Sequence, residues 1–411
     1  MTQRSVKSLR HRDFYRDLEK LLTQIDQAQG FEEMLSDLLE KVIKSYAEYI
    51  GLESARLYRD EGDAYVVLRS FGAKGTQVVG FRVDRGYEVL RQLPPHQTRY
   101  FAPDDPALNP ELEKALGVRH FAAFLVGPAR DYIVAFGLSE DADVQEAMLI
   151  LSTLRHAIDT RLRRSELEGQ LQEAHSIQTS LFPGRSFTFD GYEIAGQSLP
   201  ADQVGGDMLD YLPISANLLG LAVGDASGHG LPAALQARDV ITGLRMGVEK
   251  DLKITAVCER LNRVIHRSGL TSRFVSLFFG ELELNGNFVY VNAGHDPALL
   301  LRKGKRGQLL KSTGLVLGPV KDLEYRRGLV NIEPGDMLAL YTDGIVERQG
   351  PDGEYGLARL RSLLQSRLDE DRPVLEILDE VFEDVRSFGQ GQAWADDVTL
   401  MLVRRKPLAD K

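Results

Sequence analysis

Residues Leu221–Leu235 read LAVGDASGHGLPAAL. An apolar run stops at Asp225, small residues and His229 follow, and Pro232 opens a helix. An acid and a histidine in so bare a turn admit three readings: a phosphate-cradling loop, a nucleophile turn, or a metal ligand at a strand end. A P-loop needs Lys-Ser or Lys-Thr after its glycines, and neither follows here. GHGLPA fits a loose GxGxxG/A pattern, but the helix it opens leads into a second helix instead of a strand, so the dinucleotide-binding context fails. A nucleophile elbow needs glycine two residues before serine, where Asp225 stands. What remains is a carboxylate exposed where an apolar strand ends.

Three further stretches repeat the arrangement. VGGDMLDY puts Asp207 after two glycines, MLALYTDGIVE ends an apolar run at Asp343, and WADDVTLMLV places Asp396 and Asp397 at the opening of another. Any one of them reads as a turn-forming Asp at a strand end. Four such sites between Asp207 and Asp397, with no comparable basic cluster, read differently. Unpaired carboxylates beside apolar strands are costly, and four of them offset the charge of two divalent cations. All-oxygen ligands favour Mg²⁺ or Mn²⁺ over zinc. Two such ions about 3.5–4 Å apart share a water, lower its pKa and aim it at phosphorus. That chemistry needs no cysteine, and the only one, Cys258 in ITAVCERL, reads as a core thiol on an amphipathic helix.

The rest of the chain sets the frame. Its 411 residues suggest two domains with room for a third element. A net charge of −10 argues against a nucleic-acid binder. No apolar run approaches the ~20 residues of a membrane span, and MTQRSVKSLRHRD has no signal-peptide core, so a cytoplasmic chain is expected. Residues 1–150 alternate helical runs (Phe14–Ile25, Leu35–Tyr46) with short strands, and LPPHQTRYFAPDDPALNP between them reads as loop. Residues 144–182 read as one long helix. Its seams, Leu151–Leu154–Ile158–Leu162 and Leu167–Leu171–Ala174–Gln178–Leu181, are separated by a phase break and suggest a two-stranded coiled coil. From 187 on, strands outnumber helices and helices come in pairs, as in a sandwich with helices outside. Asn285-Gly286 predicts a type I′ hairpin.

Together, ADQVGGDMLDY, LAVGDASGHGLPAAL, FVYVNAGHDPALLL, TGLVLGP, LALYTDGIVE and ADDVTLMLV make residues 187–405 resemble the PPM-type metal-dependent serine/threonine phosphatases of the bacterial SpoIIE/RsbU branch. The resemblance implies an α+β chain: a sensor domain over 1–150, a helical coiled-coil linker over 151–186, and an αββα phosphatase domain over 187–411. It also implies two Mn²⁺ or Mg²⁺ ions and hydrolysis of a phosphoprotein by metal-activated water. Asp207 would bind the first metal, Asp225 would bridge both, and the Ala226 carbonyl would touch one. Asp343 and Asp396 would hold the second, with Asp397 as the fallback for Asp396. His229, Asn292 and His295 are expected to shape loops rather than to catalyse, Ser227 to cap a helix, and Trp394 to pack.

The N-terminal module resembles a GAF domain in its pattern of helices and strands. It has no cysteine for bilin attachment and no asparagine-lysine signature of the cyclic-nucleotide type. The implied partners are a phosphorylated STAS-domain anti-anti-sigma protein as substrate, a second copy of the chain, and a small-molecule or protein signal. Nucleic acid and membrane are not among them. The competing readings are a scaffold that keeps the phosphatase fold without turnover, and a nucleotide-hydrolysing metalloenzyme.

Overall fold

The computed structural model describes residues 31–72, 75–127, 131–249, 253–268, 274–351 and 353–407; the helix expected at Phe14–Ile25 lies outside them. The chain divides into two compact units, Met1–Leu167 and Glu168–Lys411.

In the first unit, α1 (Phe31–Ile50) is followed by β1 (Leu52–Asp60), β2 (Ala64–Gly72), β3 (Arg82–Asp84), α2 (Glu88–Arg91), β4 (Arg99–Phe101), α3 (Pro110–Leu116), β5 (Phe121–Val126) and β6 (Tyr132–Leu138). The strands form one sheet in the order β3-β2-β1-β6-β5-β4, every neighbouring pair antiparallel. Leu35, Leu38, Leu39 and Val42, spaced three and four apart, form the buried stripe of α1 against Leu57, Phe124 and Phe136 of the sheet. The proline-rich stretch is not all loop. Its centre, Arg99–Phe101, is an edge strand on β5, and its end is Asn109, whose side chain accepts the N–H groups of Glu111 and Leu112 to cap α3. Three residues between prolines carry no periodicity, so only the β5 edge reveals that strand.

Helix α4 runs unbroken over Val144–Thr179. Leu151, Leu154 and Ile158 of the first expected seam are buried in the core of the first unit, with Leu162 packed beside them. This seam therefore packs on its own domain. In the second seam Leu167 and Leu171 are exposed, while Gln178 is buried.

The second unit holds β7 (Ser186–Phe187), β8 (Tyr192–Leu199), β9 (Asp207–Ser215), β10 (Leu218–Ala226), α5 (Leu231–Val248), α6 (Ile254–Arg267), β11 (Val275–Glu283), β12 (Asn287–Ala293), β13 (Ala298–Arg302), β14 (Lys305–Leu310), β15 (Gly328–Asn331) and β16 (Met337–Tyr341). It continues with α7 (Asp343–Val346), the short pair β17 (Gln349–Gly350) and β18 (Gly353–Glu354), α8 (Leu357–Asp369), α9 (Val374–Phe388) and β19 (Val398–Arg405). Two antiparallel sheets result, β15-β12-β11-β10-β9 and β14-β13-β16-β19-β8-β7. Period-two alternation sends each strand's side chains to two different cores. On β10, Leu219, Leu221 and Val223 enter the core between the sheets with Phe278, Phe288, Leu338 and Met401. Ala222 and Ala226 face the other way, onto Val240, Leu244 and Leu261 of α5 and α6. On the second sheet, Leu299, Tyr341 and Leu402 pack outward on Leu360, Leu364, Ile377 and Val381 of α8 and α9. The unit is thus a sheet sandwich with a helix pair on each outer face. The Asn285-Gly286 hairpin forms, but only Gly286 has positive φ (+96°), so it is not a type I′ turn. Among the described residues no helix is long and apolar enough to cross a membrane.

Candidate metal centre

Asp207 opens β9 and Asp225 stands next to last on β10, and the two are direct cross-strand partners. Like charges placed opposite one another repel, so this register is locally unfavourable unless something offsets it. The second sheet supplies part of the answer. Thr342, just after β16, and Thr399, in β19, both donate hydroxyl hydrogen bonds to Asp207 Oδ2, at 2.7 and 2.6 Å. Thr342 precedes α7 in the capping position, but its hydroxyl is committed to Asp207 and not to the helix. Asp207 is only 2% exposed, so these two donors tie the sandwich's two sheets together at the site. Replacing either threonine by valine leaves a buried carboxylate oxygen short of a partner. We expect each to cost ~1–3 kcal/mol in urea unfolding, with the double variant less than additive.

Asp343 begins α7 at the end of β16, and Asp396 and Asp397 lead into β19, the neighbour of β16. The two adjacent acids divide their surroundings. Asp397 is buried and accepts backbone N–H groups from Ala201 (2.8 Å), Gly206 (2.5 Å) and Asp207 (3.3 Å). Asp396 is exposed and lines a cleft of about 410 Å³ with Asp225, Asp202, His229 and Trp394. The glycine pair before Asp207 serves this packing: a Cβ on Gly205 would lie 2.2 Å from the Asp397 carboxylate, and one on Gly206 would lie 2.5 Å from the Ala226 carbonyl oxygen.

The electrostatics are one-sided. Burial, then the charge of Asp225, holds Asp207 well above the usual carboxylate range. Burial and Asp343, Asp396, Asp397 and Asp296 push Asp225 up to about 7. Burial, Asp396, Glu347 and Asp296 raise Asp343 to about 6. Every charged neighbour that moves Asp225 is another acid. Among the described residues no three His, Cys, Asp or Glu side chains stand close enough to cage a metal by themselves. A Mg²⁺-like ion does not ask for such a cage, since it keeps several waters and takes one or two carboxylates. A set of hard oxygen donors that lacks a cation partner and is partly protonated without one fits ions of that kind.

Several neighbouring residues brace the strands and loops around the acids. His295 Nε2–H donates to the Tyr341 carbonyl (3.1 Å), so Nδ1 accepts the Ser276 hydroxyl (2.7 Å). Burial lowers its pKa to about 4, so it is a neutral brace between Ser276, the cross-strand partner of Asp225, and the strand that leads to Asp343. Asn292 Oδ1 accepts the His295 N–H and shapes that turn. Ser227 caps no helix: its Oγ accepts the Phe274 N–H and its own N–H returns to the Phe274 carbonyl, whereas Gly230 occupies the cap of α5. His229 is 92% exposed, with Asp202 at 3.9 Å. Cys258 is fully buried in the helix layer and its thiol is pushed up by burial, as expected of a core residue.

Residues 215–406 match the family described as Stage II sporulation protein E (SpoIIE), a span that includes Asp225, Asp343 and Asp396 and stops short of Asp207. The chain is 26% identical over 245 residues to phosphoserine phosphatase RsbU of Bacillus subtilis, covering 59% of this chain and 72% of RsbU. It is 23% identical over 208 residues to phosphoserine phosphatase RsbP of the same organism, covering 49% of this chain and 50% of RsbP. The SiaA-PP2C domain of Pseudomonas aeruginosa superposes with a TM-score of 0.52 at 22% identity, over 59% of this chain and 98% of that one, and shares the fold. The chain is thus related to the SpoIIE/PP2C-type phosphatases and is a protein serine/threonine phosphatase.

Phosphatase domains of this type are metal-dependent, in keeping with the cation-hungry acids above. Several residues of this phosphatase domain escape a reading of strand-end acids: Thr342 and Thr399, which hold Asp207; Asp296 and Glu347, which add to the field; and Gln178 on α4. The threonines left a trace, one beside the acid in YTDG and one two residues after Asp397 in ADDVT. The others stand in stretches with no acid-at-strand-end pattern.

Proposed function

We propose that this chain is a regulated, Mn²⁺- or Mg²⁺-dependent phosphatase acting on phosphoserine or phosphothreonine of a STAS-domain protein. The observation that carries the reading is the set of acids from both sheets, Asp207, Asp225, Asp343 and Asp396, gathered where the charged groups acting on Asp207, Asp225 and Asp343 are all other carboxylates. Asp225, central to that field, would contribute to holding both ions, Asp207 and the Ala226 carbonyl would hold the first, and Asp343 and Asp396 would hold the second. Bound there, divalent cations supply charge neutralisation at phosphorus and a water of lowered pKa. The chain's own part is to hold those oxygens in place: the threonines fix Asp207, Asp397 fixes the loop that carries it, and His295 braces the two strands behind. The test is release of phosphate from a phosphoserine STAS protein by the full chain with Mn²⁺. A chain that binds that protein but releases no phosphate is a scaffold; one that acts on nucleotides alone is a different hydrolase.

Regulation has a physical handle at the end of α4. Gln178 Nε2 donates to the Gly205 carbonyl (2.6 Å) and its Oε1 accepts the Gly205 N–H (3.1 Å). His175 Nδ1 bonds the Gln203 carbonyl, and Arg245 reaches the Leu181 carbonyl (2.8 Å) while pairing with Asp210. The last turns of the helix therefore grip the loop two residues before Asp207. In this reading the GAF-like N-terminal module and a homodimeric α4 pass a signal to that loop. The internal cavity of the module, about 30 Å³, has Arg56, Tyr58, Tyr87 and Glu113 in its lining, and Glu113 Oε2 has no partner. Such a space holds about one water, whereas a larger cleft of about 780 Å³ in the same module, lined by Glu53, Lys114, His120 and Glu140, has room for a small-molecule signal. Gln178→Ala should lower metal affinity or turnover about 10–100-fold, the usual effect of losing a support behind a ligand. Isothermal titration with Mn²⁺ checks it, and wild-type affinity in the variant removes the handle.

A further inference from the structure

The chain has one tryptophan, Trp394, and it is neither wholly in the core nor free at the surface. It is half-buried, packed on the edge of the layer made by α8, α9 and the second sheet, and it lines the same cleft as Asp225 and Asp396. Its position is set by Arg348. That guanidinium lies over the indole ring, 4.6 Å from the ring centroid. Its two terminal nitrogens donate to the carbonyls of Ala393 (2.6 Å) and Gln392 (2.5 Å), the two residues that lead into Trp394. Arg348 is only 5% exposed and has no carboxylate within ion-pair distance among the described residues. A buried cation without a carboxylate partner is expensive, and here its compensation comes from two carbonyl dipoles and the face of one ring. A Cβ on Gly389 would lie 2.2 Å from the Arg348 side chain, so the chain also leaves room for that guanidinium from behind.

The rest of the cleft lining is made of acids, His229 and small residues such as Ala201, Gly228 and Ala395, with Val204 among them. Trp394 is the one aromatic side chain other than His229 among the described residues that line the cleft. Phosphate esters of every kind present the same group to the acids, so whatever distinguishes a peptide from a small ester must be read by the rim. A rigid aromatic side chain, fixed before the ligand arrives, is the kind of surface on which a few residues carry most of a binding energy.

We propose that Trp394, held by Arg348, is a specificity residue: the platform on which the polypeptide flanking the phosphorylated side chain packs. The idea rests on the phosphatase reading of the cleft. The expected result is a change of preference. In the full chain with Mn²⁺, Trp394→Ala lowers kcat/KM for a ten-residue phosphoserine peptide with valine on both sides of the phosphoserine. Relative to kcat/KM for p-nitrophenyl phosphate the fall is at least about tenfold, chiefly through KM. Trp394→Phe recovers part of the preference, and Arg348→Lys, which cannot cover the ring and hold two carbonyls together, loses part of it. A second readout needs no turnover: as the only tryptophan, Trp394 should shift its emission on titration with the thiophosphoserine form of the peptide. Equal loss on both substrates, or no loss on either, overturns the proposal, as does a saturating peptide that leaves the emission unmoved. Trp394→Phe provides the comparison if Trp394→Ala fails to fold. If wild-type protein hydrolyses neither substrate, the phosphatase reading falls and this proposal with it; if it hydrolyses both, only the role of Trp394 is at stake.

Discussion

Asp225→Asn should abolish Mn²⁺-dependent hydrolysis of p-nitrophenyl phosphate, with a loss of about 10³-fold or more, while making the metal-free protein more stable. The two effects have one cause. Asp225 is held at about 7 by burial and by four other carboxylates, and Asp343 at about 6. Without a cation these side chains repel one another; in the proposed metal reading, a bound cation offsets that repulsion. The sign of the pH dependence follows from linkage. A carboxyl whose pKa is higher folded than unfolded binds more protons in the folded state across that interval, so stability falls as pH rises through it. For Asp225 the interval runs from the ordinary 3.8 to about 7. In EDTA, wild type should therefore lose melting temperature relative to Asp225→Asn as pH rises from 5 to 8. Adding Mn²⁺ should reverse the order at pH 8, since the variant has lost a ligand. Thermal unfolding at the two pH values, with and without metal, measures all of this. A variant less stable than wild type in EDTA at pH 8 contradicts the electrostatic account, and turnover that survives chelation contradicts the metal mechanism.

Asp396 and Asp397 should separate cleanly when each is replaced by alanine. Asp397 accepts three backbone N–H groups, from Ala201, Gly206 and Asp207, in a buried position. Losing it strands those donors, at ~1–3 kcal/mol for each that stays dry, so Asp397→Ala should unfold several degrees lower whether or not metal is present. Asp396 is exposed in the cleft and, among the described residues, accepts only the N–H of Asp397, at 2.8 Å. Asp396→Ala should leave metal-free stability close to wild type and cost Mn²⁺ affinity and turnover, by about 10²-fold or more. Calorimetric unfolding beside Mn²⁺ titration distinguishes them. If Asp397→Ala keeps its stability and loses metal, the two acids exchange roles. Asp397 reaches Asp207 through the loop and through its charge, and Asp396 acts on Asp225 and Asp343, so the pair is best read as single variants before any double.

The strands of the phosphatase domain were legible because its sheets obey a simple rule: apolar runs that stop at an acid or a glycine. LLGLAVGDA is β10 to the residue, and the helix pair 231–248 and 254–267 is marked by its spacing. Edge elements were less legible. Arg99–Phe101, Lys305–Leu310 and Gly328–Asn331 are strands because a neighbour offers an open edge, and nothing local requires it. The long helix shows the same limit from another side. Both of its seams have the spacing of a coiled coil, yet Leu151, Leu154 and Ile158 are taken by the sheet of their own unit and Gln178 by the Gly205 backbone. Spacing describes a face and does not name what covers it.

For the site, the sequence by itself determined the donor chemistry: acids at four strand ends, no thiol or basic residue among them, and hence a hard divalent cation. Which acids face one another was decided only when the two sheets closed. Asp207 and Asp225 are 18 residues apart in sequence and direct partners in register, while Thr342 and Thr399 reach Asp207 across the sandwich from 135 and 192 residues away. Asp396 and Asp397 are chemically identical neighbours that both line the cleft, and the backbone N–H groups come to Asp397, which leaves Asp396 the more exposed of the two. Residue type carries charge and hardness; burial, register and hydrogen-bond partners arise from packing, and they decide which of two equal carboxylates is free to act.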